Sequence, residues 1–203
     1  MDIREAEENL HLIRSMMERA TRWTGLPAYA CFGAAACGFA GWALSAARGL
    51  DFSVPGHAAP LFEIWGAVAG IAAISVVAFT IAAARRRGEP AMSSLTRGIM
   101  FSILPGLFTG GVLTLVAPPE MRPGIWMLCY GTSLLGLGVF AGWKANLTGV
   151  LFLAGGSSAL LVFPSMGLTL MTATFGGLHA LLGSLLLLKS SHRPDARWTE
   201  ERP

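Results

Sequence analysis

Charge is scarce in this chain, and it is missing in blocks. Asp, Glu, Lys and Arg make up 13% of the 203 residues, against roughly a quarter in soluble domains. Water is therefore not the main solvent. The uncharged blocks are roughly 17 to 23 residues long, the length that crosses a ~30 Å hydrocarbon core as a helix. Apart from Glu63 near one edge, no carboxylate lies inside them. That removes the paired acids of general acid–base catalysis and the midplane carboxylates by which secondary transporters couple ions. Period-2 alternation is also absent, which excludes a membrane β-barrel.

Cysteine is nearly as sparse. Cys31, Cys37 and Cys129 all fall within apolar runs, and no Cys-x-x-Cys or Cys-x-x-Cys-His spacing occurs. Disulfide, zinc and c-type haem frameworks have no starting point here, and the thiols read as reduced, small hydrophobes. Of four histidines, His11, His57 and His192 lie outside the runs. Bis-histidine haem held by this chain alone is thereby excluded. The first 23 residues mix both signs of charge, unlike a secretory leader.

What is present is an all-α, polytopic pattern. Residues 1–24 predict a cytoplasmic amphipathic helix, with Asp2 and Glu5 at capping-box spacing and apolar positions at Ile3, Ala6, Leu10, Ile13, Met17 and Ala20. Six spans follow over 25–47, 61–83, 99–117, 124–143, 147–163 and 168–188, and residues 189–203 form a cytoplasmic tail. The net charge of +3 reflects topology and calls for no nucleic acid, because basic residues sit between the runs. The N-terminal arm, the Arg85–Arg86–Arg87 and Arg97 loop, Lys144 and the tail hold all but Arg48 and Arg122. By the positive-inside rule both termini are cytoplasmic, which an even span count also requires.

Within the spans, several features invite a role. Gly33, Ala34, Cys37 and Gly41 make a small-residue face on the first, suited to close helix contact. Gly66-x-x-x-Gly70 in the second is expected to pack within the subunit. Pro105-Gly106 at the centre of the third predicts a kink and a candidate hinge, with Ser102 or Thr109 able to bond the carbonyl that proline leaves free. The fourth carries Cys129-Tyr130-Gly131-Thr132-Ser133, the most polar tract in the membrane. In the sixth, Thr172, Gly176, His179 and Gly183 recur at steps of four, three and four, on one face.

His179 is the one side chain deep in a run that readily changes charge, and an ionisable group at bilayer depth is a functional-site hypothesis by default. It is expected to be buried against the bundle and neutral. With Thr172, Tyr130 and Ser133 it forms the candidate buried ligand or proton site; the competing reading is a structural hydrogen bond. Asp51 and His57 of the outer loop, with Glu63 just beyond it, have no metal-ligand spacing, so no metal is expected.

Ile13-Arg-Ser-Met-Met-Glu-Arg-Ala-Thr-Arg-Trp-Thr-Gly25, Trp126-Met-Leu-Cys-Tyr-Gly131 and Phe175-Gly-Gly-Leu-His179, in that order, resemble an uncharacterised family of small six-helix bacterial cytoplasmic-membrane proteins. The resemblance implies that membrane and a regulatory or accessory role, and carries over no catalytic residue. The expectation is then a non-enzymatic subunit without cofactor. It would contact a protein partner or a second copy through Ile3, Leu10, Ile13, Met17 and its small-residue faces. A proton-coupled or small-solute transporter with His179 at the midplane, and a cofactor-binding subunit of a larger complex, are the alternatives.

Overall fold

The computed structural model describes Leu10, residues 26–86, Gly88, Pro90 and residues 93–191. Ile3, Ile13, Met17, nearly all of the N-terminal helix and residues 192–203 of the tail lie outside the described residues. Leu10 is helical and 66% exposed. Among the described residues every regular element is helical.

Helix α1 spans Ala28–Ala47 and begins after Pro27, whose missing N–H is no loss in a first turn. Helix α2, Ala58–Arg86, starts three residues earlier than the apolar run suggested and ends on Arg85 and Arg86, cations that suit a helix C-terminus. Helix α3, Ser94–Val116, begins five residues early, because the Ser93 hydroxyl accepts from the Thr96 N–H at 3.1 Å and caps it. A short 3-10 turn, Pro119–Met121, leads into α4, Arg122–Ala141. Helix α5 is Trp143–Leu161. The last helix is continuous but of mixed winding: after a 3-10 turn, Pro164–Met166, come α6, Gly167–Thr172, a π-helical stretch, Ala173–Leu178, and α7, His179–Ser191.

Among the described residues five helical stretches are long and apolar enough to cross a membrane: α1, α2, Thr96–Val116, Pro119–Ala141 and Pro164–Leu188. Helix α5 falls outside that group, since its 19 residues open with Lys144 and Asn146 and include Gly155-Gly156-Ser157-Ser158. Large apolar side chains, among them Ile74, Phe101, Phe108, Leu115 and Val139, face outward on these helices. A surface of that kind matches lipid better than water.

Glycine sets how closely the helices approach. A Cβ on Gly131 of α4 would sit 2.9 Å from the Gly149 carbonyl oxygen of α5, and one on Gly149 would meet the Gly131 oxygen at 2.9 Å. Two turns away, Gly124 and Gly156 repeat the relation at 3.0 and 2.8 Å. The two helices thus run antiparallel with backbones in contact, the geometry that small residues permit. Only Gly142 separates them. Its φ of 86° and ψ of −171° lie where glycine alone is comfortable.

The first and last helices meet in the same way. A Cβ on Gly38 would lie 2.8 Å from the Gly176 nitrogen, and one on Gly183 would lie 3.2 Å from the Cys31 Cβ. Seven residues separate the contact points on each helix. The face at Gly33 and Gly41 packs instead on α2, against Phe79 and Val68.

Helix α2 otherwise packs chiefly on α1, and α3 chiefly on α4. This corrects the expectation for Gly66-x-x-x-Gly70: a Cβ at either position, like one at Gly111 on α3, meets nothing within 4 Å. The motif faces outward, because the α1-facing side of α2 is taken by Trp65, Val68 and Phe79.

Two substitutions separate the buried from the open glycines. Gly131→Leu forces α4 and α5 apart and is expected to lose about 1–3 kcal/mol, the usual range for overpacking. Gly66→Leu meets no atom and should leave stability within about 0.5 kcal/mol of the parent. Thermal unfolding of both variants in one detergent or lipid, read by tryptophan fluorescence, checks the contrast.

Candidate functional site

The mixed winding of the last helix places a buried ionisable residue, His179. In a π-helical stretch the hydrogen bonds run one residue longer than in an α-helix, and such turns recur where a side chain is positioned for a purpose. Here the stretch ends at Leu178, so His179 is the first residue of normal winding after it. Thr172, Gly176, His179 and Gly183 are all buried. Gly176 and Gly183 are the positions at which α1 comes closest, and by that antiparallel register the buried Ala35 faces the turn that carries His179.

His179 is 7% exposed. Its Nε2 lies 2.8 Å from the hydroxyl of Tyr130 on α4. Phe152 of α5, fully buried, and Phe175 of the π-helical stretch complete an aromatic box. Tyr130 sits 4.9 Å from Phe152 and 5.1 Å from Phe175, ring centre to ring centre. The imidazole is parallel to Phe175 within 9° at 6.4 Å and meets Phe152 edge-on at 5.7 Å. Four stretches of chain therefore converge on one pair of polar atoms.

The other imidazole nitrogen, Nδ1, is buried without a hydrogen-bond partner, as are Trp65 Nε1 and Arg122 Nε among the described residues. The imidazole and the phenol thus share one hydrogen bond inside an apolar box, its donor set by the imidazole tautomer, an arrangement that fixes both side chains.

Only two of the four grouped candidates come together. Thr172 donates to the Leu168 carbonyl at 2.8 Å, one turn back on its own helix. Ser133 faces α3, donating to the Ile103 carbonyl at 3.0 Å and to Cys129 at 2.9 Å. Phe152 belongs to the site although nothing in the sequence distinguished it from other core aromatics. A metal-sized cluster of His, Cys, Asp and Glu is not found among the described residues. All three cysteines are free.

Pro105 and Gly106 lie across from the polar tract of α4. Helix α3 runs on through Pro105. A Cβ on Gly106 would lie 2.7 Å from the Cys129 carbonyl oxygen, and one on Gly110 would lie 3.1 Å from the Cys129 Cβ. Ser102 donates to Ile99 at 2.7 Å rather than to the Phe101 carbonyl freed by the proline. The loop between α1 and α2 is braced by its own hydrogen bonds: Asp51 Oδ1 accepts from the Ser53 N–H and hydroxyl at 2.7 and 2.6 Å, and His57 Nδ1 accepts from the Asp51 N–H at 3.1 Å. Phe52 of that loop packs edge-on against Trp126, whose Nε1 donates to Thr114 at 2.6 Å.

A double-mutant cycle of Tyr130→Phe and His179→Leu measures the pair. Hydrogen bonds between membrane helices average about 0.6 kcal/mol and reach about 1.7 in such cycles. Both single variants are expected to fold, with a coupling energy in that range from reversible unfolding in lipid; strict additivity would mean that the bond contributes nothing. No family model matches the chain, and no curated protein or solved structure matches it, so the geometry above is what a functional proposal stands on.

Proposed function

We propose that this chain is an integral membrane accessory or regulatory subunit without catalysis of its own. In this reading it resides in a bacterial cytoplasmic membrane with six spans and both termini inside. It engages a protein partner, or a second copy, through its N-terminal helix and its unpacked small-residue faces.

The observation that carries the proposal is the state of α2. Gly66 and Gly70 present bare backbone to open space on a helix held chiefly by α1. In lipid, association rests on van der Waals contact, and an exposed Gly-x-x-x-Gly surface is where a further helix gains most of it. Helix α3, with Gly111 open and α4 its chief neighbour, adds a second such surface.

The surroundings of His179 support the same reading by weighing against the alternatives. A transport site must open to each side in turn, whereas this imidazole is stacked, edge-packed and tied to Tyr130. A cofactor ligand needs a free coordination direction, and the aromatic box with the π-helical backbone surrounds both nitrogens. The basic-residue distribution supports the orientation, and the even span count requires α5 to cross despite its polar first turn. Lys144 assists there: its Nζ donates to the Leu185 carbonyl at 3.1 Å, near the end of the last helix.

Two measurements test this. In a cysteine-free background, Ser53→Cys should react with an impermeant thiol reagent from outside and Ser190→Cys only after lysis; labelling of position 190 in intact cells reverses the topology. Gly66→Leu with Gly70→Leu, and separately Leu10→Asp with Ile13→Asp, should each cut co-purification of the associated chain about tenfold while the bundle stays inserted. Unchanged co-purification in both variants refutes the interaction role, and an unaltered mass of one chain in the parent does so at once.

A further inference from the structure

Two sequence features some 25 residues apart, the proline break of α3 and the polar tract of α4, line one open groove of about 440 Å³. Ser102, Pro105, Gly106 and Thr109 form one wall, and Leu128, Cys129, Thr132 and Ser133 the other. The volume lies within the ~300–1,000 Å³ range of small-molecule sites. We propose that this groove binds an uncharged, lipid-soluble molecule with a hydroxyl donor, an alcohol or phenol on an apolar body.

Hydrogen-bond polarity sets the class. Three of the four hydroxyls along the groove spend their protons on helix carbonyls: Ser102 on Ile99 at 2.7 Å, Thr132 on Cys129 at 2.8 Å, and the buried Ser133 on Ile103 and Cys129. Ser102 and Thr132 thus present lone pairs to the groove. The Ser133 bond shows that this part of α3 already takes a donor from outside its own helix at 3.0 Å. A ligand that reaches Ser102 or Thr132 must donate, and a hydroxyl can at the same time accept from Thr109, the fourth hydroxyl of the groove.

Charge and shape narrow it further. No ionisable residue other than the Cys129 thiol lines the groove, so a cationic donor would be desolvated without a counter-ion, which is costly. A neutral hydroxyl avoids that. Pro105, Gly106 and Leu128 supply apolar contact for the remainder of the molecule. In hydrocarbon, exposed acceptors have no water to bond, so a donor that reaches them from the lipid is held there. The groove lies on the far side of α4 from the His179–Tyr130 pair and does not involve α2, so this inference goes beyond the proposed partner role and stands apart from it.

The test uses the full chain in lipid nanodiscs with two photoreactive probes. One is a dodecyl alcohol carrying a diazirine on its chain, and the other is its methyl ether, equal in shape but without a donor. Cross-linked peptides are mapped by mass spectrometry. The alcohol is expected to label residues 102–109 and 128–133 about fivefold more than the ether, the value of one net hydrogen bond. Thr132→Val together with Ser102→Ala, which keep a Cβ at each position of the α3–α4 contact, should bring the alcohol down to the ether's level, and Thr132→Ser should retain the parent ratio. The alcohol should also slow alkylation of Cys129 by a membrane-permeant reagent while leaving the buried Cys31 unaffected. Equal labelling by alcohol and ether, labelling spread evenly over the lipid-facing helices, or no labelling of either wall would each overturn the proposal.

Discussion

Backbone-to-backbone contact through glycine is the constraint on which this bundle depends. Between α4 and α5, and again between α1 and the last helix, the contact points recur after seven residues on both partners. In lipid the apolar side chains gain little by leaving their solvent, so helices are held by close packing instead. Remove the Cβ at two successive contact points and whole helices come near enough for van der Waals attraction along their length. The His179–Tyr130 bond follows from this. Gly131 brings Tyr130 in beside α5, while Gly176 and Gly183 bring α1 up to the turn that bears the imidazole. The polar pair is a product of the glycine contacts rather than their cause.

That order of causes explains how the site is sealed. An imidazole in hydrocarbon is tolerable if it stays neutral and finds one good partner. The phenol provides the partner, and three aromatic rings exclude other matter. Around the α3–α4 groove the disposition is the opposite, with the Ser102 and Thr132 protons turned to carbonyls of their own helices and the groove itself open. One chain thus holds a closed polar site and an open one on opposite sides of α4. Their different exposure follows from α4 having a dense neighbour in α5 and a sparse one in α3.

Much of the fold is legible in the sequence because a long uncharged run has few ways other than a helix to pair its own backbone groups, and the all-helical class follows. The α3 start was missed since its first turn is polar and its cap, Ser93, sits among other small residues. Facing is less legible. Periodicity correctly groups Gly66 with Gly70, but it cannot say that α1 takes the opposite side of α2. Tyr130 and His179 each stand out as rare residues in apolar runs, yet their pairing spans 49 positions and depends on three helix packings at once. Thr172 and Ser133 stand out equally and prove to be occupied with carbonyls nearby. The π-helical stretch leaves no trace in composition, because Ala-Thr-Phe-Gly-Gly-Leu suits either winding.

The length of α2 has a consequence of its own. Its 29 residues extend for about 43 Å at 1.5 Å per residue, while the hydrocarbon core measures about 30 Å. The 20 residues of α1 match that thickness without adjustment. Within a bilayer, α2 must lean or protrude, and with α1 as its chief neighbour little resists the leaning. Membrane thickness therefore acts on this helix before any other: a thinner bilayer tips it over and turns the bare Gly66–Gly70 backbone toward the membrane plane, and a thicker one stands it upright.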